Sequence, residues 1–140
     1  MTQEDKDLLL RDLCARLPYG VKLWHESFED VIILHAIDAT QFAVEISIDN
    51  SNSNTAFWNS IEQVKPYLFP LSSMTEEQQK ELYSIQGVLT VDFELEEYKM
   101  VHLFQFQNVI DWLNKNHFDY RGLIEKGLAI DATGLNIYQS

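Results

Sequence analysis

The chain has 140 residues, and its 22 acids outnumber its 10 Lys and Arg to leave a net charge of −12. That balance argues against nucleic-acid binding, which relies on cations neutralising phosphates, and against docking on anionic membranes. With 46% hydrophobic and 12% aromatic residues, the composition is globular rather than disordered and suits one domain, residues 1–140, that hides roughly two thirds of its unfolded surface.

Residues 2–17 read as a helix. Thr2 can cap it, with Asp5 at the third helical position, and acids at 4, 5 and 7 suit the positive helix start. Leu9, Leu10, Leu13, Cys14 and Leu17 form its apolar stripe, which makes Cys14 a buried small hydrophobe. As the only cysteine, Cys14 excludes an internal disulfide and fits a reducing compartment. The first seven residues are charged and carry no signal-peptide core, and the longest apolar run, residues 31–34, is too short to cross a bilayer. A cytoplasmic location is therefore expected. Pro18-Tyr19-Gly20 stops the helix.

A sheet is expected over about 21–49. Residues 21–24 alternate, and 31–37 are too apolar for a half-solvated strand. That places them centrally, with His35 as a satisfied core histidine. Phe42, Val44, Ile46 and Ile48 then face one way and Ala43, Glu45, Ser47 and Asp49 the other. Short turns between these runs predict an antiparallel meander. Residues 49–54 are a polar loop, expected to be mobile. Phe57, Ile61 and Val64 are spaced for one or two helical turns. Residues 64–70 read as a rigid crossing, because Pro66 and Pro70 fix φ and remove donors.

Thr75-Glu76-Glu77-Gln78 is a capping box that opens a helix over 75–86, ended by Gly87. In 88–95, Leu89, Val91, Phe93 and Leu95 alternate with polar residues. This is a possible strand, with a helix continuing past Gly87 as the alternative; 101–106 is ambiguous. Helices are expected at about 107–116, carrying Val109, Ile110, Trp112 and Leu113, and at 120–127, carrying Leu123 and Ile124. The tail from Ile130 is expected to be loosely held. The class is α+β: an N-terminal helix, a small antiparallel β-meander and a C-terminal helical segment.

His117, Asp119, Tyr120 and Arg121 could supply a base, an acid and a cationic anchor. The packing reading is preferred. His117 ends a helix, where a cation suits the negative end; Asp119 caps the next; Arg121 pairs with a carboxylate; Phe118 plugs the core. Consecutive residues at a helix start do not converge on one point. His25, His35, His102 and His117 have no metal-site spacing. No Ser or Cys sits at a Gly-flanked elbow, no Gly-rich phosphate loop exists, and Glu94, Glu96 and Glu97 read as a solvated face. No catalytic residue, cofactor or metal is assigned, which points away from an enzyme. Trp24, Trp58, Tyr67, Phe69, Phe104 and Phe106 exceed what a small core comfortably hides, and aromatic anchors dominate interfaces. The candidate interaction or structural cluster is Trp112, His117, Phe118, Asp119, Tyr120, Arg121, Lys65 and Tyr67.

Four blocks carry a family resemblance. They are Asp12-Leu13-Cys14-Ala15-Arg16-Leu17-Pro18-Tyr19-Gly20-Val21-Lys22; Val64-Lys65-Pro66-Tyr67-Leu68-Phe69-Pro70-Leu71-Ser72-Ser73-Met74-Thr75-Glu76-Glu77; Asp111-Trp112-Leu113-Asn114; and His117-Phe118-Asp119-Tyr120-Arg121-Gly122-Leu123-Ile124-Glu125-Lys126-Gly127-Leu128-Ala129. In this order they resemble a family of small uncharacterised proteins of Bacteroides-type gut bacteria and their phages or prophages; residues 23–62 and 88–107 match less well. The resemblance implies a mobile-element origin and says nothing about catalytic residues. The expected function is that of a non-enzymatic phage or prophage accessory protein working on another protein, with its identity and the oligomeric state open. The alternatives are an acidic nucleic-acid-mimicking inhibitor and an enzyme using His117, Asp119 and Arg121.

Overall fold

The structure, a computed structural model, describes residues 1–49, 55–86 and 96–138. Helix α1 (Gln3–Arg16) begins where Thr2 accepts the N–H of Asp5 on its Oγ1 at 3.1 Å, with Glu4 and Asp5 in the first turn. Its inward face is Leu9, Asp12, Leu13 and Arg16, all fully buried. The apolar stripe expected from the sequence is corrected here. Cys14 is exposed, and Leu10 and Leu17 are half-buried. One residue on from Leu13 the helix has turned by about 100°, so Cys14 leaves the inward face and Asp12 and Arg16 enter it. A 3₁₀ turn, Leu17–Tyr19, follows, and Gly20 at φ +70° reverses the chain.

Strands β1 (Lys22–His25), β2 (Phe28–Asp38) and β3 (Ala43–Ile48) form the expected antiparallel meander. His35 is corrected from core to surface: it lies on the opposite side of β2 from buried Ile32 and Leu34, and its Nε2 meets Ser47 Oγ at 2.6 Å. The loop 49–54 lies outside the described residues from residue 50 onward. The helical turns expected around 57–64 are instead strand β4 (Phe57–Ser60) and a single 3₁₀ turn, Ile61–Gln63. The proline-containing crossing at 64–70 is strand β5 (Val64–Pro70). β5 pairs antiparallel with β1, giving the order β4-β3-β2-β1-β5. Pro66 is tolerated because it stands opposite Leu23, next to the Trp24–Lys65 pair. Opposed pairs alternate in their need for hydrogen bonds, and a proline fits where none is required.

This sheet curls. His25 Nε2 on β1 lies 2.9 Å from Asn59 Oδ1 on β4, three places away in strand order. In a flat sheet that gap is roughly 14 Å. The rings of His25, Phe28 and Phe57 close the same corner at 4.8 and 5.6 Å. Inside the curl, Val21, Leu23, Ile32, Leu34, Val44, Ile46, Ile61, Val64 and Leu68 form the core, with Leu9 and Leu13 of α1 packed on it.

The capping box at Thr75 forms as expected: Gln78 N–H donates to Thr75 Oγ1 at 3.1 Å, and Thr75 N–H donates to Gln78 Oε1 at 2.9 Å. It opens α2 (Glu76–Gln86). The possible strand at 88–95 lies outside the described residues. Helix α3 (Glu96–Lys115) takes in the ambiguous 101–106 and is longer than the expected 107–116. The helix expected at 120–127 is absent. Asp119 draws the N–H groups of Leu123 and Ile124 onto its two oxygens, at 3.0 and 2.9 Å, and glycines 122 and 127 sit at φ +75°. The segment is a run of turns. The tail is also held more firmly than expected. β6 (Phe118–Asp119) and β7 (Ile130–Asp131) both join β5, in parallel, and Ala132 N–H donates to Leu68 O at 2.8 Å. The result is a mixed α/β protein with an N-terminal helix, a mostly antiparallel sheet and a later helix, broadly in keeping with the α+β class.

Trp112, Leu113 and Phe118 make a second apolar cluster with Phe69, Met74, Leu82, Ile85, Val109 and Tyr120. Trp112 is 6% exposed, and its ring lies flat against Phe118, with centroids 5.6 Å apart. Trp112→Ala is expected to lower stability by roughly 3–5 kcal/mol. A thermal melt of the variant checks this; an unchanged melting temperature would show that the ring is not core.

Candidate functional site

The conspicuous C-terminal side chains converge on a pair of charges supplied by α1. Asp12 and Arg16 lie one helical turn apart on the buried face, and both side chains are 0% exposed. Arg16 Nε donates to both Asp12 oxygens, at 3.0 and 2.9 Å, and its Nη2 donates to the carbonyl of Phe118 at 2.6 Å. Arg121 reaches in from the turn after β6 and donates from Nη1 to Asp12 Oδ1 at 2.8 Å. Tyr120 lies under both guanidinium groups, with its centroid 5.5 Å from Arg16 and 4.4 Å from Arg121. Its hydroxyl donates to Asn114 Oδ1 at 2.9 Å. One carboxylate, two guanidiniums and an aromatic face thus join α1, α3 and the strand β6. Charge-assisted hydrogen bonds and cation–π contacts of this kind strengthen away from water.

The remaining predicted residues occupy different places. Phe118 is buried between Trp112 and Phe69. The carboxylate of Asp119 is taken up by two backbone N–H groups, as a cap without a helix. Lys65 is not part of the cluster. It lies four residues along β5 from Phe69, roughly 13 Å at strand rise, with its ammonium 5.6 Å from the Trp24 ring centroid. Tyr67 contributes its backbone carbonyl, and burial raises its hydroxyl above the ordinary tyrosine pKa. The triad weighed as a catalytic set is thereby divided: Asp119 serves backbone amides, Arg121 serves Asp12, and His117 serves an aromatic stack. Among the described residues no three His, Cys, Asp or Glu are grouped to hold a metal ion.

His117 ends α3 in the left-handed region, at φ +63°, a position usually given to glycine. The cationic cap expected there is corrected. Burial is the main cause, followed by the charges of Arg16 and Lys22, and together they lower the imidazole pKa to about 4. The ring is neutral near pH 7 and lies flat on Tyr138 at 3.6 Å between centroids. The hydroxyl of Tyr138 accepts from Lys22 N–H at 3.0 Å and donates to Tyr67 O at 2.7 Å. Burial raises this hydroxyl far above the ordinary tyrosine range.

Asp12, Arg16 and Tyr138 were not singled out from the sequence. A signal existed for the first two: opposite charges at i and i+4, interleaved with Leu9 and Leu13 on one helical face. Nothing local marks Tyr138. Comparison of the chain with protein-family models, with curated proteins and with solved structures finds no match.

The unfolded chain carries His117 at its ordinary value near 6.5. Between that pH and about 4, the unfolded state binds a proton that the folded state does not. This contribution to stability is complete above pH 6.5 and is lost as pH falls through about 4, on the order of 3 kcal/mol in all. Urea unfolding at pH 7 and pH 4.5 is expected to show the loss, and to show less of it in His117→Phe. An equal loss in both proteins would contradict the assignment to His117.

Proposed function

We propose that this is a non-enzymatic accessory protein, phage- or prophage-associated and cytoplasmic, that acts by contact with another protein and needs no cofactor. One observation carries the reading. Leu71, Met74, Gln79, Leu82 and Tyr83 line an open concavity of about 250 Å³, and Tyr83 and Leu71 on it are 70% and 47% exposed. Exposed aromatic and aliphatic side chains around a hollow are the usual material of an interface anchor. Leu71 and Met74 belong to the block Val64 to Glu77 that carries the resemblance to mobile-element proteins. By contrast, the side chains that first suggested catalysis are spent on internal contacts.

The same surface indicates the partner's chemistry. Helix α2 exposes Glu76, Glu77 and Glu81 around a single base, Lys80, and the whole chain carries −12. The fitting occupant is a protein segment with apolar anchors set among Lys or Arg, drawn in by complementary charge. This reading is favoured over a nucleic-acid mimic because the exposed acids are spread over α1 (Glu4, Asp7), β2 (Glu29, Asp30) and α2, rather than confined to one element.

The test is affinity capture from a gut-bacterial lysate with the wild-type chain and with the double variant Leu71→Asp, Tyr83→Asp. A basic partner held by the wild type and lost by the variant, with the two melting temperatures within a few degrees, is the expected outcome. Identical captures by both chains, or none by either, would contradict it.

A further inference from the structure

Tyr138 occupies a position that a β ladder would fill by itself. β1 and β5 pair through Leu23–Pro66, Trp24–Lys65 and His25–Val64, so Lys22 and Tyr67 are the next opposed residues. Their N–H and C=O are bridged by the Tyr138 hydroxyl instead. The hydroxyl stands at the end of the antiparallel β1–β5 ladder, beside the residues of β5 that pair with the parallel strands β7 and β6. Below it lies the His117 ring, buried, with an Nδ1 that has no hydrogen-bond partner among the described residues.

The segment that delivers Tyr138 is lightly attached. Ala132 is buried and bonded to Leu68, but residues 133–136 are all exposed. The hydrogen bonds along it are local: Thr133 N–H donates to Asp131 Oδ1 at 2.9 Å and Leu135 N–H to Ala132 O at 3.1 Å. Gly134 and Asn136 sit at φ +78° and +55°. Tyr138 is thus the far anchor of a short exposed span, set on a ring that can change charge.

We propose that residues 133–138 form a clasp that Tyr138 closes across β1 and β5, and that protonation of His117 opens it. The groups around the His117–Tyr138 pair are Arg16 and Asp12 from α1, Lys22 from β1 and Tyr67 from β5. Lys22 carries its own partner, Asp49, at 3.2 Å, and Asp12 is shared by Arg16 and Arg121. A proton on His117 therefore enters a buried site already facing two cations, Arg16 and Lys22, with the buried carboxylate of Asp12 engaged. Lifting Tyr138 away lets water reach the imidazolium, so acid favours the open state. Opening also frees the Lys22 N–H and Tyr67 C=O and uncovers one face of His117.

If His117 returns to its ordinary value when the clasp is open, the ratio of open to closed rises roughly twentyfold between pH 7 and pH 5. The experiment is NMR relaxation dispersion on ¹³C-labelled tyrosine rings of the full chain at those two pH values. The Val44 and Ile46 methyls serve as core reporters. The expected result is a Tyr138 open population roughly twentyfold larger at pH 5, with the core methyls unmoved, and a pH-independent population in His117→Phe. A Tyr138 population equal at both pH values would overturn the proposal, as would core methyls exchanging in step with it. Should His117→Phe fail to fold, the imidazole titration of the wild type replaces it. A midpoint shared with the Tyr138 exchange supports the clasp, and a separate midpoint refutes it.

Discussion

One buried carboxylate organises this molecule. Asp12 sits on the inward face of α1 with no exposed surface and is bonded to Arg16 on its own helix and to Arg121 more than a hundred residues away. Ionised groups leave water at a cost of several kcal/mol each, recovered only when geometry and hydrogen bonding are nearly complete. Here they are nearly so: both Asp12 oxygens are used, and Arg16 spends one nitrogen on the carbonyl of Phe118. Such a pair contributes register more than raw stability. It sets α1 at one angle against β6, and with it the turn that carries Tyr120 and Arg121. One guanidinium nitrogen of Arg16 has no partner among the described residues, so the network is close to saturated but not closed.

From that hub the rest of the C-terminal half can be followed. Fixing Phe118 places it between Phe69 and Trp112, which ties the second apolar cluster to β5. His117 is then held in the left-handed region at the end of α3 and becomes a platform for Tyr138. The residues that looked most like chemistry are in this way committed to joining elements. Tyr83, Phe106, Trp58 and Leu71, by contrast, are large apolar side chains that face solvent. This division between an occupied interior cluster and an open apolar hollow is what supports the contact reading of function.

Local rules made part of the fold legible. The caps at Thr2 and Thr75 and the period-two run of β3 depend on near neighbours, and they appear where the sequence places them. Features decided by distant partners were harder to read. Two prolines argue against a strand, yet β5 forms because β1 stands opposite and asks no N–H of Pro66. Residues 120–127 have helical spacing, but Asp119 and two left-handed glycines break the winding into turns. At the site, the need of Arg121 for a carboxylate is visible from its type; that the carboxylate is Asp12, across the whole chain, is not. Apolar spacing draws the stripe of α1 through Leu10, Cys14 and Leu17, whereas the charges of Asp12 and Arg16 take those places on the inward face and form the anchor.

The most direct measurement of this account is a double-mutant cycle between Asp12→Ala and Arg121→Ala, followed by urea unfolding. If the two side chains hold α1 to the C-terminal turn through one shared contact, their effects are non-additive, with a coupling of roughly 1–3 kcal/mol. Additive effects, with a coupling indistinguishable from zero, would show that the halves are held together by something other than this carboxylate.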